Sequence, residues 1–283
     1  MPATPEFAIG RFKIFARGLD HPEGLAFDRR GALWAGGEAG QIYRMDAQGR
    51  ARIVASLGRF CAGLAFSPQD ELFVCVAHLG IVHVRRDGTY SVFADRAGKH
   101  RIVSANFPVF DRRGNLYVTD SGHWKKKNGY LLRFTPAGHG KVLGGPYAYA
   151  NGLALSADER SLFLVESDTE RVYRCALRGD GSLGRRRIFA RDVGRLPDGL
   201  ALDGQGHLYT ACYASDEIYR IAPSGRKQLV ACDRQGILLG GPTNMAFGGA
   251  RGDELFVANL ARQTITRVRI RRQGQPLANQ RRP

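Results

Sequence analysis

One phrase recurs six times along the chain and leaves few architectures open. A lead residue is followed by a short apolar stretch, a turn, and a second apolar stretch. It reads E-G-L-A-F-D-R-R-G-A-L-W from Glu23, A-G-L-A-F-S-P-Q-D-E-L-F-V from Ala62, and N-F-P-V-F-D-R-R-G-N-L-Y-V from Asn106. It returns as N-G-L-A-L-S-A-D-E-R-S-L-F-L from Asn151, D-G-L-A-L-D-G-Q-G-H-L-Y-T from Asp198, and T-N-M-A-F-G-G-A-R-G-D-E-L-F-V from Thr243. The starts lie 39, 44, 45, 47 and 45 residues apart. A period of this length is that of a four-stranded propeller blade, and a period must be read before single elements are assigned.

Within each repeat, turn chemistry such as Asp-Arg-Arg-Gly or Ser-Pro-Gln-Asp joins the two apolar stretches into an antiparallel hairpin. A third strand follows in period-2 alternation, as in Gln41-Ile42-Tyr43-Arg44 and Glu217-Ile218-Tyr219-Arg220. A fourth comes after a Gly-bearing turn, as in Arg52-Ile53-Val54 and Arg187-Ile188-Phe189. The segment Lys13-Ile14-Phe15-Ala16 has the character of a fourth strand but precedes the first repeat. It is expected to pair outside Ile265-Thr266-Arg267-Val268 and close the ring, which removes a long open edge. The expectation is an all-β, six-bladed β-propeller closed by its N-terminal strand. It forms a single domain over 1–283, with an ordered core of about 12–270 and a frayed tail over 271–283.

Composition narrows the function classes. With 42 Lys and Arg against 26 Asp and Glu the net charge is +16, which raises polyanion binding. The basic clusters, among them Arg29-Arg30, Lys125-Lys126-Lys127 and Arg185-Arg186-Arg187, are spread over the repeats rather than gathered on one face, which argues against a dedicated nucleic-acid reader. Five cysteines, odd in number and without a C-x-x-C pair, indicate neither a disulfide framework nor a thiolate zinc site. No apolar run approaches the roughly 20 residues of a membrane span, and the first residues lack a secretory pattern. The expectation is a cytoplasmic protein with a small-molecule partner. Phosphate loops, H-E-x-x-H and G-x-S-x-G are absent.

The repeat also makes a coordination prediction. The first strand of every blade lines the central channel, so the lead residues Glu23, Ala62, Asn106, Asn151, Asp198 and Thr243 surround one axis at one depth. Glu23, Asn106, Asn151 and Asp198 offer two carboxylates and two amide oxygens. That hard-oxygen set suits one divalent cation, calcium first, with magnesium, manganese or zinc as alternatives. Read otherwise, the same residues merely start turns, but several unpaired polar groups at one level are costly to desolvate. Residues just past the second strands, namely Glu38, His78, Asp120 to Trp124 with His123 among them, Glu166, Asp168 and Tyr213, are expected around that ion. So are His21, Phe60, Ser104 and Tyr149, just before the first strands. The set mixes apolar walls with a few polar groups, as small-molecule pockets do.

The phrases P-E-G-L-A-F-D, N-x-P-V-x-D-R-x-G-N-L-Y-V-T-D, A-N-G-L-A-L-S and P-D-G-L-A-L-D resemble those of the senescence-marker-protein/gluconolactonase family of six-bladed propellers, over about Phe12 to Ile270. The similar diisopropyl fluorophosphatase shares the pattern. The resemblance implies that Glu23, Asn151 and Asp198 ligate the cation, with Asn106 as fourth ligand or substrate contact. It implies a metal-dependent hydrolase of the lactonase or esterase type, in which the ion polarises a carbonyl and Asp198 is general base, with Asn106 beside it. Sugar-lactone members tend to carry Arg and Asp where this chain has Ser104 and Phe107, which implies a lactone or ester less polar than an aldonolactone. The substrate pocket is expected to comprise His21, Ser104, Phe107, His78, His123, Tyr149 and Tyr213. Thr243 stands where related carbon–carbon bond-forming enzymes carry a late-blade Glu, which disfavours that activity. Two other readings stay open: phosphotriester hydrolysis at the same site, and a non-enzymatic scaffold binding a partner through its basic rim.

Overall fold

In blades one to five the turn that ends the first strand is built by its own side chain. In blade one the Asp28 carboxylate accepts the amides of Arg30 and Ala32 at 3.0 and 2.9 Å and the Trp34 indole N–H at 3.1 Å. Asp111 and Asp203 repeat the turn in blades three and five, while Ser67 and Ser156 supply a hydroxyl in blades two and four. These local hydrogen bonds fold each apolar pair into a hairpin before any long-range contact is needed.

A computed structural model describes residues 4–280. Among them are six four-stranded antiparallel sheets, each pairing its first to fourth strands in chain order, except the last. Blades one to five begin at Leu25–Phe27, Cys61–Phe66, Ala105–Phe110, Ala150–Leu155 and Pro197–Leu202. Blade six begins at Pro242–Gly248 and takes its outer strand from the N-terminus, Lys13–Arg17, which pairs with Thr264–Arg269 in the register Lys13↔Arg267 and Arg17↔Thr264. The propeller and its N-terminal closure are therefore as expected. A two-stranded hairpin, Arg96–Ala97 with His100–Arg101, sits between blades two and three.

The core is divided among the seams between blades. One apolar cluster joins blades five and six through Tyr209, Ile218, Leu255 and Val268, and another joins blades one and two through Trp34, Ile42, Leu64 and Val82. The remaining four seams are filled likewise. Cys61, Cys75, Cys175 and Cys212 are buried free thiols and Cys232 is partly buried. Desolvation pushes the Cys61 thiol up to about 12, which keeps it protonated and unreactive.

Two backbone features aim the lead residues. The first strands of blades two to six each shift register at the lead position, as between Ala150 and Leu153 or Pro197 and Leu200. A bulge inserts a residue into the pairing and re-aims its side chain. The glycine after the lead residue brings neighbouring first strands together: a Cβ at Gly24 would lie 2.2 Å from the Ala62 carbonyl oxygen, and one at Gly152 2.3 Å from that of Asp198.

The tail differs from the sequence expectation. Gly204 N–H donates to the Gln273 carbonyl at 2.8 Å in blade five, Gly274 N–H to Gly252 at 2.8 Å in blade six, and the Gln275 amide group to Leu155 at 2.9 Å in blade four. Asn279, 1% exposed, donates to the Phe27 carbonyl at 3.0 Å and to Asp70 at 3.1 Å in blades one and two. Residues 271–280 thus cross the ring on the side of the first-strand turns. A polar composition reads as frayed, but each of these polar groups finds a backbone partner that only the closed ring presents.

Candidate functional site

At the opposite end of the first strands the lead residues converge. Glu23, Asn106 and Asn151 are 5%, 8% and 3% exposed, while Asp198 is partly open. Each carries one buried oxygen without a hydrogen-bond partner among the described residues: Glu23 Oε2, Asn106 Oδ1, Asn151 Oδ1 and Asp198 Oδ1. Buried polar atoms are nearly always satisfied, so four such oxygens at equivalent repeat positions form a set that an electropositive group would satisfy.

The electrostatics agree. Burial, then the charge of Asp198, holds the Glu23 carboxyl well above its ordinary range, with the Thr243 hydroxyl drawing it partway back. Burial pushes Asp198 up to about 7, offset in part by the Asn151 amide. These cross-influences tie blades one, four, five and six to one locus, and no lysine or arginine contributes to either shift. Two carboxyls and two amide oxygens can hold a hard divalent cation, whose charge would reverse both shifts.

Above this tier the walls are largely aromatic. Tyr149 is pushed up to about 12 by burial and then by the charges of Asp198 and Glu23, so its hydroxyl is a neutral donor beside the carboxyls. Trp124, 46% exposed, meets Tyr149 edge to face at 4.8 Å. Tyr213 is 39% exposed and covers Gly241, where a Cβ would lie 2.9 Å from its ring.

The other expected pocket residues divide. Ser104 is held by its amide, which donates to Asp120 at 2.7 Å. His21 Nδ1 lies 2.9 Å from both Asp20 and Glu38, an outer cluster of three groups that are all partly open or exposed. His78 is exposed, and His123 is engaged by Asn128 at 2.9 Å in an exposed turn. Phe107 does not join this rim: it packs against the cluster between blades three and four and lines the cavity on the turn side. The bulge that aims Asn106 inward turns the following side chain into the seam. Asp120 and Glu166 are not open toward the axis either. They are 0% and 2% exposed and taken up by hydrogen bonds within the fold. Sequence reasoning placed both at the correct end without seeing those backbone partners.

The chain can now be set beside known proteins. It is 30% identical over 137 residues to a 6-deoxy-6-sulfogluconolactonase of Pseudomonas putida, covering 47% of this chain and 46% of that one. It is 28% identical over 208 residues to a gluconolactonase of Zymomonas mobilis, covering 65% and 55%. The chain therefore spans about half the length of these curated relatives. Among solved structures, a gluconolactonase of Xanthomonas campestris superposes with a TM-score of 0.80 at 20% identity, over 91% of this chain and 89% of that one, a likeness of fold. No helix among the described residues is long and apolar enough to cross a membrane. Residues 21–261 match the family described as the SMP-30/Gluconolactonase/LRE-like region, and the chain belongs to that family.

Proposed function

We propose that this chain is a divalent-cation-dependent hydrolase that opens a lactone or a related ester. The observation that carries the reading is the set of four buried, unpartnered oxygens on Glu23, Asn106, Asn151 and Asp198. These residues would hold the cation, and their hard-oxygen chemistry favours calcium over magnesium, manganese or zinc. Bound there, the cation would supply Lewis acidity toward a carbonyl oxygen and offset negative charge developing on it.

The remaining work falls to the chain. Asp198 accepts the proton of the attacking water as general base. Asn106, two blades away in the ring, orients the substrate. Tyr149, neutral at physiological pH, presents a donor hydroxyl beside the carboxyls. Trp124, Tyr149 and Tyr213 wall the mouth, and Ser104 contributes no charge there. Such walls favour a ring less polar than an aldonolactone. The names of the Pseudomonas and Zymomonas relatives support lactone hydrolysis as the reaction class.

The test is turnover of matched lactone, open-chain ester and phosphotriester substrates by chelated and reconstituted protein. Lactone opening should vanish on chelation and return with calcium. Full lactone turnover after complete chelation, or consumption of the phosphotriester alone, would overturn the reading.

A further inference from the structure

Blades three and four share a feature that the other blades lack. Their second strands, Leu116–Asp120 and Ser161–Glu166, end in a carboxylate followed by a serine: Asp120-Ser121 and Glu166-Ser167. At the equivalent places blade one has Gly37-Glu38, blade two Val76-Ala77, blade five Cys212-Tyr213 and blade six Asn259-Leu260. The acid–serine pairs thus occur immediately upstream of the blades led by Asn151 and Asp198.

Each hydroxyl crosses to the next blade and ends on an equivalent atom. Ser121 Oγ donates to the Ala150 carbonyl at 2.7 Å, and Ser167 Oγ to the Pro197 carbonyl at 2.6 Å. Those carbonyls belong to the peptide units that directly precede Asn151 and Asp198, at the bulge of each first strand. Both serines are nine-tenths or more buried, at 0% and 3% exposure.

The carboxylates beside them in sequence hold the segments that enter the first strands of their own blades. Asp120 accepts the amides of Val103 and Ser104 at 3.0 and 2.7 Å and faces His100 Nε2 at 2.8 Å, which fixes the entry to the strand that carries Asn106. Glu166 accepts the Ala148 amide at 2.7 Å and the Tyr173 hydroxyl at 2.8 Å, which fixes the entry to the strand that carries Asn151. A further hydroxyl, Thr119 Oγ1, accepts the Phe107 amide at 3.0 Å and donates to the Asn151 carbonyl at 2.8 Å, so it joins the peptide units that follow Asn106 and Asn151.

We infer that Ser121 and Ser167 are positioning residues for the cation site, each fixing from the preceding blade the peptide plane that aims the next blade's ligand. The inference rests on the cation reading given above. It goes beyond that reading because neither serine touches the ion or the substrate. Groups that orient metal ligands from behind typically alter affinity by about tenfold or more when removed, whereas a hydroxyl that only satisfies a buried carbonyl alters stability alone.

The experiment separates these roles. Calcium, magnesium, manganese and zinc are titrated calorimetrically into the chelated full-length chain, and the tightest binder is then titrated into Ser121→Ala, Ser167→Ala, Ser121→Thr, Ser167→Thr and Ser161→Ala. Ser161 is the internal comparison: it lies on the same strand as Glu166, is also buried, and accepts Arg174 at 3.0 Å at the far end of the blade. Denaturant midpoints of the cation-free proteins report folding. The expected result is a dissociation constant raised about tenfold in each alanine variant at Ser121 and Ser167, restored toward the parent value by threonine, and unchanged in Ser161→Ala even though its midpoint falls. Parent-like affinity in Ser121→Ala and Ser167→Ala, or affinity lost in Ser161→Ala to the same degree, would overturn the inference while leaving the cation reading intact. A parent chain that binds none of the four metals would overturn both.

Discussion

The two ends of the central channel are made from the same six strands, yet they differ in whether their polar groups are satisfied. At the turn end the lining is mostly apolar, with Phe27, Phe66, Leu155, Leu202 and Phe247 around a cavity of about 810 Å³. There the tail lies across the ring, and the side chains of Gln275 and Asn279 find partners in blades four, one and two. At the lead-residue end four oxygens are buried without partners, and two carboxyls are raised by burial with no basic side chain beside them. Hydrogen bonds completed within the chain mark a structural end, and hydrogen bonds left open mark an end that awaits something from outside. That cavity belongs to the structural end, so a search by cavity alone would misplace the chemistry.

The largest expected effect is at the open end. Asp198→Ala should reduce lactone turnover by about 10²- to 10⁴-fold, the range a positioned general base contributes, and should weaken cation binding in the same titration. A variant with parent-like turnover would remove Asp198 from the mechanism and reduce the contrast between the two ends to one of burial.

At the closed end the expectation is reversed. Asn279→Ala leaves the Phe27 carbonyl without its donor and should cost about 1–3 kcal/mol of folding stability, read from denaturant midpoints, while kcat and KM stay near parent values. A fall in kcat larger than the fall in stability would show that the tail acts on the chemistry and would break the division.

A smaller effect sharpens the comparison through pH. With its carboxyl at about 7 in the folded, cation-free chain against an ordinary 3.8, Asp198 keeps a proton that the unfolded chain has already released. Stability from this group is therefore lost as pH rises from about 4 through about 7. Glu23, also held well above its ordinary value, adds loss in the same direction. A cation that expels these protons should raise the melting temperature more at pH 8 than at pH 5. An increment independent of pH across that window would mean that the ion binds away from this pair.

The ring, and the grouping of Glu23, Asn106, Asn151 and Asp198 at equivalent positions, were legible in the sequence because both follow from a period. Turn residues such as Asp28 and Asp111 act within four residues, and equivalent positions in a closed ring face one axis whatever the blade. What stayed hidden depends on partners that carry no sequence signal. Asn279 is read as tail because its acceptors, the Phe27 carbonyl and Asp70, lie more than 200 residues away. Ser121 and Ser167 look like residues of an open mouth until the Ala150 and Pro197 carbonyls are seen above them. Phe107 follows the lead residue Asn106 directly, and only the bulge decides which way it turns.

Diffraction from crystals grown with calcium, with anomalous data from manganese substituted at the same position, tests the central claim most directly. One ion per chain should sit on the axis, in contact with oxygens of Glu23, Asn106, Asn151 and Asp198. An axis with no ion, or an ion seated instead at the outer cluster of Asp20, His21 and Glu38, would contradict it.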